Sequence, residues 1–313
     1  MRSSTLLFLL LPLLVLAGCG ASGDAGPAGD GPEVVATTTI LADVVREVAG
    51  ADADVHQLLQ PNSDPHDYEP RPDDVRAIAE AAVVFASGEG LDAWVEQVVE
   101  QSGGEPVLVD VGAAVPIHRE AGDEHGHGDH DDADPHWWHD PRNVAAAAVA
   151  VRDALSRANP DARADYARNA AAYVRKVRAL DADIEACVAG VPAARRKLVT
   201  DHDAFGYFAD RYGLEVIGTV IPSLTTQAQP SAGDLAELAD TVRRERVGTI
   251  FSEQSVNARL AEAIARETGA ASDDSLYGDT LGPADSAGAT YLAMLRHNAD
   301  AVVRGLTNGR RGC

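Results

Sequence analysis

The sequence predicts an α/β protein of two lobes, each a parallel sheet flanked by helices, joined by one long rigid helix. Three observations carry that prediction. From Glu33 onward, strand-like and helix-like segments alternate with the lengths of right-handed βαβ crossovers. A stretch of 28 residues, Asp161 to Val188, then runs without glycine or proline. After Pro192 the alternation resumes. At 313 residues the chain also exceeds one typical domain, which suits two lobes.

The chain opens as a targeting segment, 1–18. Arg2 supplies a positive charge, and Leu6 to Leu16 is an apolar run of signal-peptide length, short for a membrane span. It ends in Leu16-Ala17-Gly18-Cys19, which looks like the lipobox of bacterial lipoproteins and implies cleavage before Cys19 and its acylation. Residues 19–32, rich in Gly, Ala and Asp, read as a flexible tether. The expectation is an exported protein, lipid-anchored to the outer face of the cell membrane or on its periplasmic side. No later apolar run is long enough to cross a bilayer.

The first lobe is read as 33–158. EVVATTT is a strand and ILADVVREVAG a helix stopped by Gly50. DVHQLLQ is a strand leading into PNSDPHDYEP, and RPDDVRAIAEA a helix with proline in its first turn. Strand AVVFAS, helix LDAWVEQVVEQ and strand PVLVDV follow. The linking helix is placed at 159–189, after a break at Asn159-Pro160. Tyr166, Tyr173, Val177, Leu180, Ile184 and Val188 recur on one helical face, and at ~1.5 Å per residue the helix is about 40 Å long. In the second lobe, 190–313, KLVTD, LEVIGTV and VGTIFSE are strands. AFGYFADRYG, SAGDLAELADTVRRER and NARLAEAIARETG are helices, with a short strand near Ala270 and a final helix from about Asp285 to Gly305. A faint internal echo links the halves: Pro70, Asp74-Val75 and Ile78-Ala79 recur 160 residues later as Pro230, Asp234-Leu235 and Leu238-Ala239.

The net charge is −23, with only Lys176 and Lys197 as lysines. That sign disfavours nucleic acid, whose phosphates need basic surface, and concentrates cations instead. Cys187 and Cys313 remain once Cys19 is acylated. An oxidising compartment permits them to pair, but one lies in a helical pattern and the other is the last residue, which argues against it.

Metal ligation is the chemistry the residues point to. Between Asp123 and Asp140 lie five of the ten histidines, His125, His127, His130, His136 and His139, among seven carboxylates. Neutral imidazole is the commonest protein ligand for borderline metals, and nearby carboxylates favour a cation. Residues 123–134 have no apolar periodicity and read as a mobile loop, whereas Pro135 onward leads into a helix. Ligands of parallel sheets gather at strand carboxyl ends. Those positions select His66 after DVHQLLQ, His202 after LVTD, and Asp273, Asp274 or Asp279 after the last short strand, with His136 entering from the histidine loop.

PHDYEP around His66, DPHWWHDP around His136, HDAFGYFADRYGL from His202, and SLYGDTLG followed by TYLAMLRHN carry a resemblance. Across nearly the whole chain from Val34, it resembles the substrate-binding lipoproteins of zinc and manganese ABC uptake systems, the TroA-like or ZnuA-like family. The resemblance implies metal ligands at His66, His136, His202 and Asp279, the last chosen over Asp273 and Asp274 by the Leu276-to-Asp279 pattern. It also implies a partnership with ABC permease subunits, and a zinc metallochaperone is a further candidate partner. The expected state is a monomer held to the membrane only by its lipid. His139 departs from the family, which more commonly has an apolar residue there; three positions after His136, it is an alternative ligand. Manganese-selecting members often offer Glu where this chain has His202. Nitrogen-rich sites favour Zn2+ over Mn2+, so Zn2+ is the expected cargo and Mn2+ the alternative. His125, His127, His130 and His139 are auxiliary candidates for weaker, faster-exchanging zinc.

Two other function classes bear on the same residues. A zinc hydrolase keeps an open metal position and a base; HExxH and G-x-S-x-G are absent, and Glu253 is an isolated candidate. An adhesin or scaffold with a structural metal is the other.

Overall fold

A computed structural model describes residues 31–116, 133–272 and 274–313. The leader, Cys19, nearly all of the tether, His125, His127, His130 and Asp273 lie outside the described residues.

In the first lobe, β1 (Glu33–Ala36), β2 (Asp54–Gln57), β3 (Val83–Ala86) and β4 (Val107–Asp110) form one parallel sheet in the order β2-β1-β3-β4. All four residues of β3 are buried, as a strand covered by helices on both faces requires. The expected strand EVVATTT is cut short because Thr38 caps α1 (Thr39–Ala49), its hydroxyl accepting the Leu41 amide at 3.2 Å. Gly50 ends α1 at φ 62°, a left-handed value that favours glycine. α2 (Pro72–Glu80) and α3 (Trp94–Ser102) complete the crossovers.

α4 (Pro141–Ala158) and α5 (Arg163–Ala189) follow, with the break at Asn159-Pro160. Tyr166, Tyr173, Val177, Leu180, Ile184 and Val188 are all buried along α5. Asp181 shares that face, and α6 (Gly206–Tyr212) answers it. Arg211 holds both its carboxylate oxygens at 2.8 Å, and the Tyr212 hydroxyl donates to it at 3.1 Å.

The second lobe carries β5 (Lys197–His202), β6 (Glu215–Ile221), β7 (Ser252–Glu253) and β8 (Ser275–Leu276), with α7 (Ala232–Glu245), α8 (Arg259–Thr268) and α9 (Tyr291–Thr307). β5 pairs with β6 and β7 with β8, both in parallel, while the bridge Thr200–Phe251 joins the pairs. The order β6-β5-β7-β8 thus repeats that of the first lobe. The internal echo acquires a physical meaning here. Asp74 and Asp234 each accept the amide at the start of their helix, from Arg71 and Ser231, both at 2.7 Å. Three expected elements are shorter than read. VGTIFSE keeps only β7 as a strand, the segment near Ala270 is a single bridge at Ala271, and the last helix starts at Tyr291 behind its Thr290 cap.

One apolar core runs through both lobes, drawing on α1, α4, α5, α6 and α9, with smaller cores on the outer side of each sheet. The Tyr291 amide of α9 donates to the Asp43 carboxylate of α1 at 2.9 Å, tying the lobes directly. The reading of the cysteines needs correction: Cys187 and Cys313 form a disulfide. The end of the chain folds back on the last turns of α5, where Arg311 also donates to the Gly190 carbonyl. A linear view of the sequence hides that return. Because the bridge closes a separation of 126 residues, reducing it should lower unfolding free energy by about 2–4 kcal/mol. Guanidinium titration with and without dithiothreitol measures this, and superimposable curves would contradict it.

Candidate metal centre

Each of the four candidate side chains is carried by a different piece of backbone. His66 occupies a single tight turn, Pro65–Asp67, whose first amide bonds are arranged by Asp64; its carboxylate accepts the His66 amide at 2.9 Å. His136 precedes the turn Trp137–His139 that feeds α4. The two indoles beside it are buried and anchored in different lobes. Trp137 donates to the Ser87 carbonyl at 3.0 Å, and Trp138 to the Gly278 carbonyl at 2.9 Å. His202 is the last residue of β5, and Asp279 follows β8, so both occupy strand carboxyl ends.

The structure brings His66, His136, His202 and Asp279 together, with one donor atom of each lying within 4.8 Å of the others. The three imidazole Nε2 atoms stand 3.3–3.5 Å from Asp279, at 3.5 Å for His66, 3.4 Å for His136 and 3.3 Å for His202. His136 Nε2 is 3.4 Å from that of His66 and 3.3 Å from that of His202. Asp279 is fully buried, yet among the described residues neither carboxylate oxygen has a well-formed hydrogen bond.

Two carboxylates outside the cluster decide how the rings are protonated. Asp134 lies 2.7 Å from His136 Nδ1, and Glu253 lies 2.9 Å from His202 Nδ1. A carboxylate oxygen accepts from a ring N–H, so each contact favours a proton on Nδ1 and leaves Nε2 facing the centre. Glu253 also accepts the His202 amide at 3.1 Å and is itself held by its own amide donating to Asp201 at 2.7 Å. Lone pairs facing each other at 3.3 Å repel unless a positive charge lies between them, a proton or a metal ion. Three imidazole nitrogens and one carboxylate make a four-donor set matching the ligand types and number of a closed zinc site.

The electrostatics agree. Burial alone would lower the pKa of His202, but Glu253 and then Asp279 outweigh it, and the pKa stands well above the usual histidine range. Burial would raise Asp279, whereas His202 and His136 hold it well below the carboxylate range. The cluster is built to hold positive charge.

The other sequence candidates go elsewhere. His139 is not in the cluster: its ring stacks on Phe205 with centroids 4.4 Å apart, and neither nitrogen has a hydrogen-bond partner among the described residues. Burial takes its pKa down to about 3, so it is a neutral core ring. Three-residue spacing placed it beside His136 only on paper, because the tight turn directs it toward α6. Asp274 is engaged by Arg304 at 3.1 Å. Asp134 and Glu253, which contact the His136 and His202 rings, are positions the sequence reading missed or discounted. Asp134 was within reach, as an acid two residues before His136 that also accepts its amide at 2.9 Å. Glu253 was not, since 51 residues separate it from the ring it holds.

Fold and site together define a class: two α/β lobes sharing a core along one long helix, with a nitrogen-rich cation cluster where their strand ends meet. Residues 34–305 match the family model described as ZnuA, zinc-uptake complex component A, periplasmic. The chain belongs to this ZnuA family. Over 304 residues it is 30% identical to the manganese-binding lipoprotein MntA of Halalkalibacterium halodurans, covering 96% of this chain and 97% of that protein. It is 31% identical to the zinc-binding protein TroA of Treponema pallidum over 292 residues, 91% of this chain and 92% of TroA. The iron-binding protein YfeA of Yersinia pestis shares 28% over 301 residues, 96% of this chain and 94% of YfeA. The solved structure of TroA superposes with a TM-score of 0.80 at 30% identity, covering 88% of this chain and 99% of that one.

Two outcomes follow from this geometry. Glu253→Ala should weaken metal binding by about 10–100-fold by freeing the His202 ring, measured by competition against a chelator; unchanged affinity would show that Glu253 does not orient the ligand. A metal must also displace the proton that the raised His202 pKa favours. Affinity should therefore fall as pH falls and keep rising above neutrality, with proton release seen by calorimetry in buffers of different ionisation enthalpy. A flat profile from pH 6 to 8 would contradict it.

Proposed function

We propose that this protein captures Zn2+ on the outer side of the membrane, through His66, His136, His202 and Asp279, and presents it to the permease subunits of an ABC importer. The observation that carries the reading is the convergence of three Nε2 atoms on one buried carboxylate between the lobes, whose oxygens have no well-formed hydrogen bond among the described residues. A four-donor shell leaves no coordination position reserved for an attacking water, so the arrangement suits capture and not hydrolysis. Glu253, the one candidate base, is committed to His202.

The relatives carry names of manganese, zinc and iron binders, so the choice of cargo rests on the donor set. Three imidazoles favour Zn2+ over Mn2+ by ligand softness and by the Irving–Williams order. Anchoring through Cys19 and loading by a zinc metallochaperone belong to the same proposal. The sharing of one core by both lobes supports release by small local movements and not by wide opening.

The test is a competitive titration of the protein beginning at Cys19, stripped with chelator and checked by circular dichroism. One Zn2+ per chain, bound in preference to Mn2+ and lost in His202→Ala with affinity down by at least about 100-fold, is the expected result. Preference for Mn2+ would overturn the choice of cargo, and a chain that unfolds when stripped would make the metal structural.

A further inference from the structure

The four ligating side chains are held unequally. His136, His202 and Asp279 have no side-chain exposure, whereas His66 retains 6%. The backbone around Asp279 is fastened to the first lobe by bonds shielded from water. The Leu281 amide donates to the Thr39 hydroxyl at 2.8 Å, and the Trp138 indole donates to the Gly278 carbonyl at 2.9 Å, both buried. The turn that carries His66 is fastened across the cleft in another way. Among the described residues, two side-chain ties between the turn and the second lobe come from the loop between β6 and α7, while upstream of the turn the Asn62 amide donates to the Thr280 hydroxyl at 3.1 Å. The Thr226 hydroxyl donates to the Asp64 carboxylate at 2.6 Å, and Gln227 Nε2 donates to the His66 carbonyl at 2.6 Å.

These two bonds sit at the surface. Gln227 is exposed and Thr226 half-buried, so water can take over the freed groups when each bond opens, whereas breaking the buried set leaves polar groups unsatisfied. A cavity of about 440 Å³ opens on this same edge, lined by His66, Leu91, Pro135, Pro222 and Leu224. The side with exchangeable ties is therefore also the side with room for His66 to move.

We propose that Thr226 and Gln227 form a cross-lobe latch on the His66 turn, which sets how fast the metal leaves. His66 is the ligand that swings out, while His136, His202 and Asp279 stay in place. The proposal rests on the metal-capture reading above, and it makes Thr226 and Gln227 positioning residues that never touch the cargo. Release then requires a loop shift of one turn and leaves the shared core of α1, α4, α5 and α9 intact.

The test uses the protein from Cys19 loaded with Zn2+, mixed rapidly with excess chromophoric chelator to read the dissociation rate. Thr226→Ala with Gln227→Ala should speed dissociation by roughly tenfold, each single variant by less. Thr226→Ser should restore the wild-type rate in the single-site series. The unfolding midpoint of the metal-free form should not move. A double variant that dissociates at the wild-type rate overturns the latch while leaving metal capture standing. A faster rate accompanied by a lower metal-free midpoint also overturns it, since the loop then acts only through packing. Wild-type protein that takes up no Zn2+ overturns both.

Discussion

The imidazole nitrogens of His66, His136 and His202 and the Asp279 carboxylate crowd one buried point, where leaving polar groups without a shared positive charge is costly. The rest of the site is organised to sustain this arrangement. Asp134 and Glu253 fix the Nδ1 protons of His136 and His202, which keeps Nε2 available. The indoles of Trp137 and Trp138 pin the His136 segment to both lobes through the carbonyls of Ser87 and Gly278. Positive charge at the centre turns the cost into a gain, so the cluster has the form of a cation trap.

The scaffold keeps the donors at these distances. α5 presents a mainly apolar face to a core shared by both lobes, and the disulfide and the Asp43–Tyr291 contact close the same seam at other points. In such a frame the lobes cannot separate without exposing core residues, which would cost about 25 cal/mol for each Å² of apolar surface. The same constraint explains why the ligands come from strand ends and tight turns, whose positions the sheets and the core fix.

The fold was legible because its signals are periodic and local. The apolar face of α5 could be read from Tyr166 to Val188, and the likeness of the two lobes showed in the echo between Asp74 and Asp234, which do the same capping work in each lobe. His66, His202 and an acid beyond the last strand were legible as strand-end residues and His136 as an entry from the histidine loop, although singling out Asp279 required family likeness. What escaped was long-range or turned on geometry. Nothing near Cys313 signals its return to Cys187, and nothing near His202 signals Glu253. His139 misled because spacing cannot say that a tight turn, and not a helix, follows His136. The β7 region read as a full strand from its β-branched residues, but only Ser252 and Glu253 form one.

X-ray absorption at the zinc edge is the measurement that bears most directly on the cluster as the cargo site. The protein beginning at Cys19, loaded with one Zn2+, should show a four-coordinate shell of nitrogen and oxygen at about 2.0–2.1 Å. Outer-shell scattering should count three imidazoles, falling to two in His66→Ala. A sulfur shell, a six-coordinate oxygen-rich shell, or an imidazole count unaffected by His66→Ala would contradict a site built from these four residues.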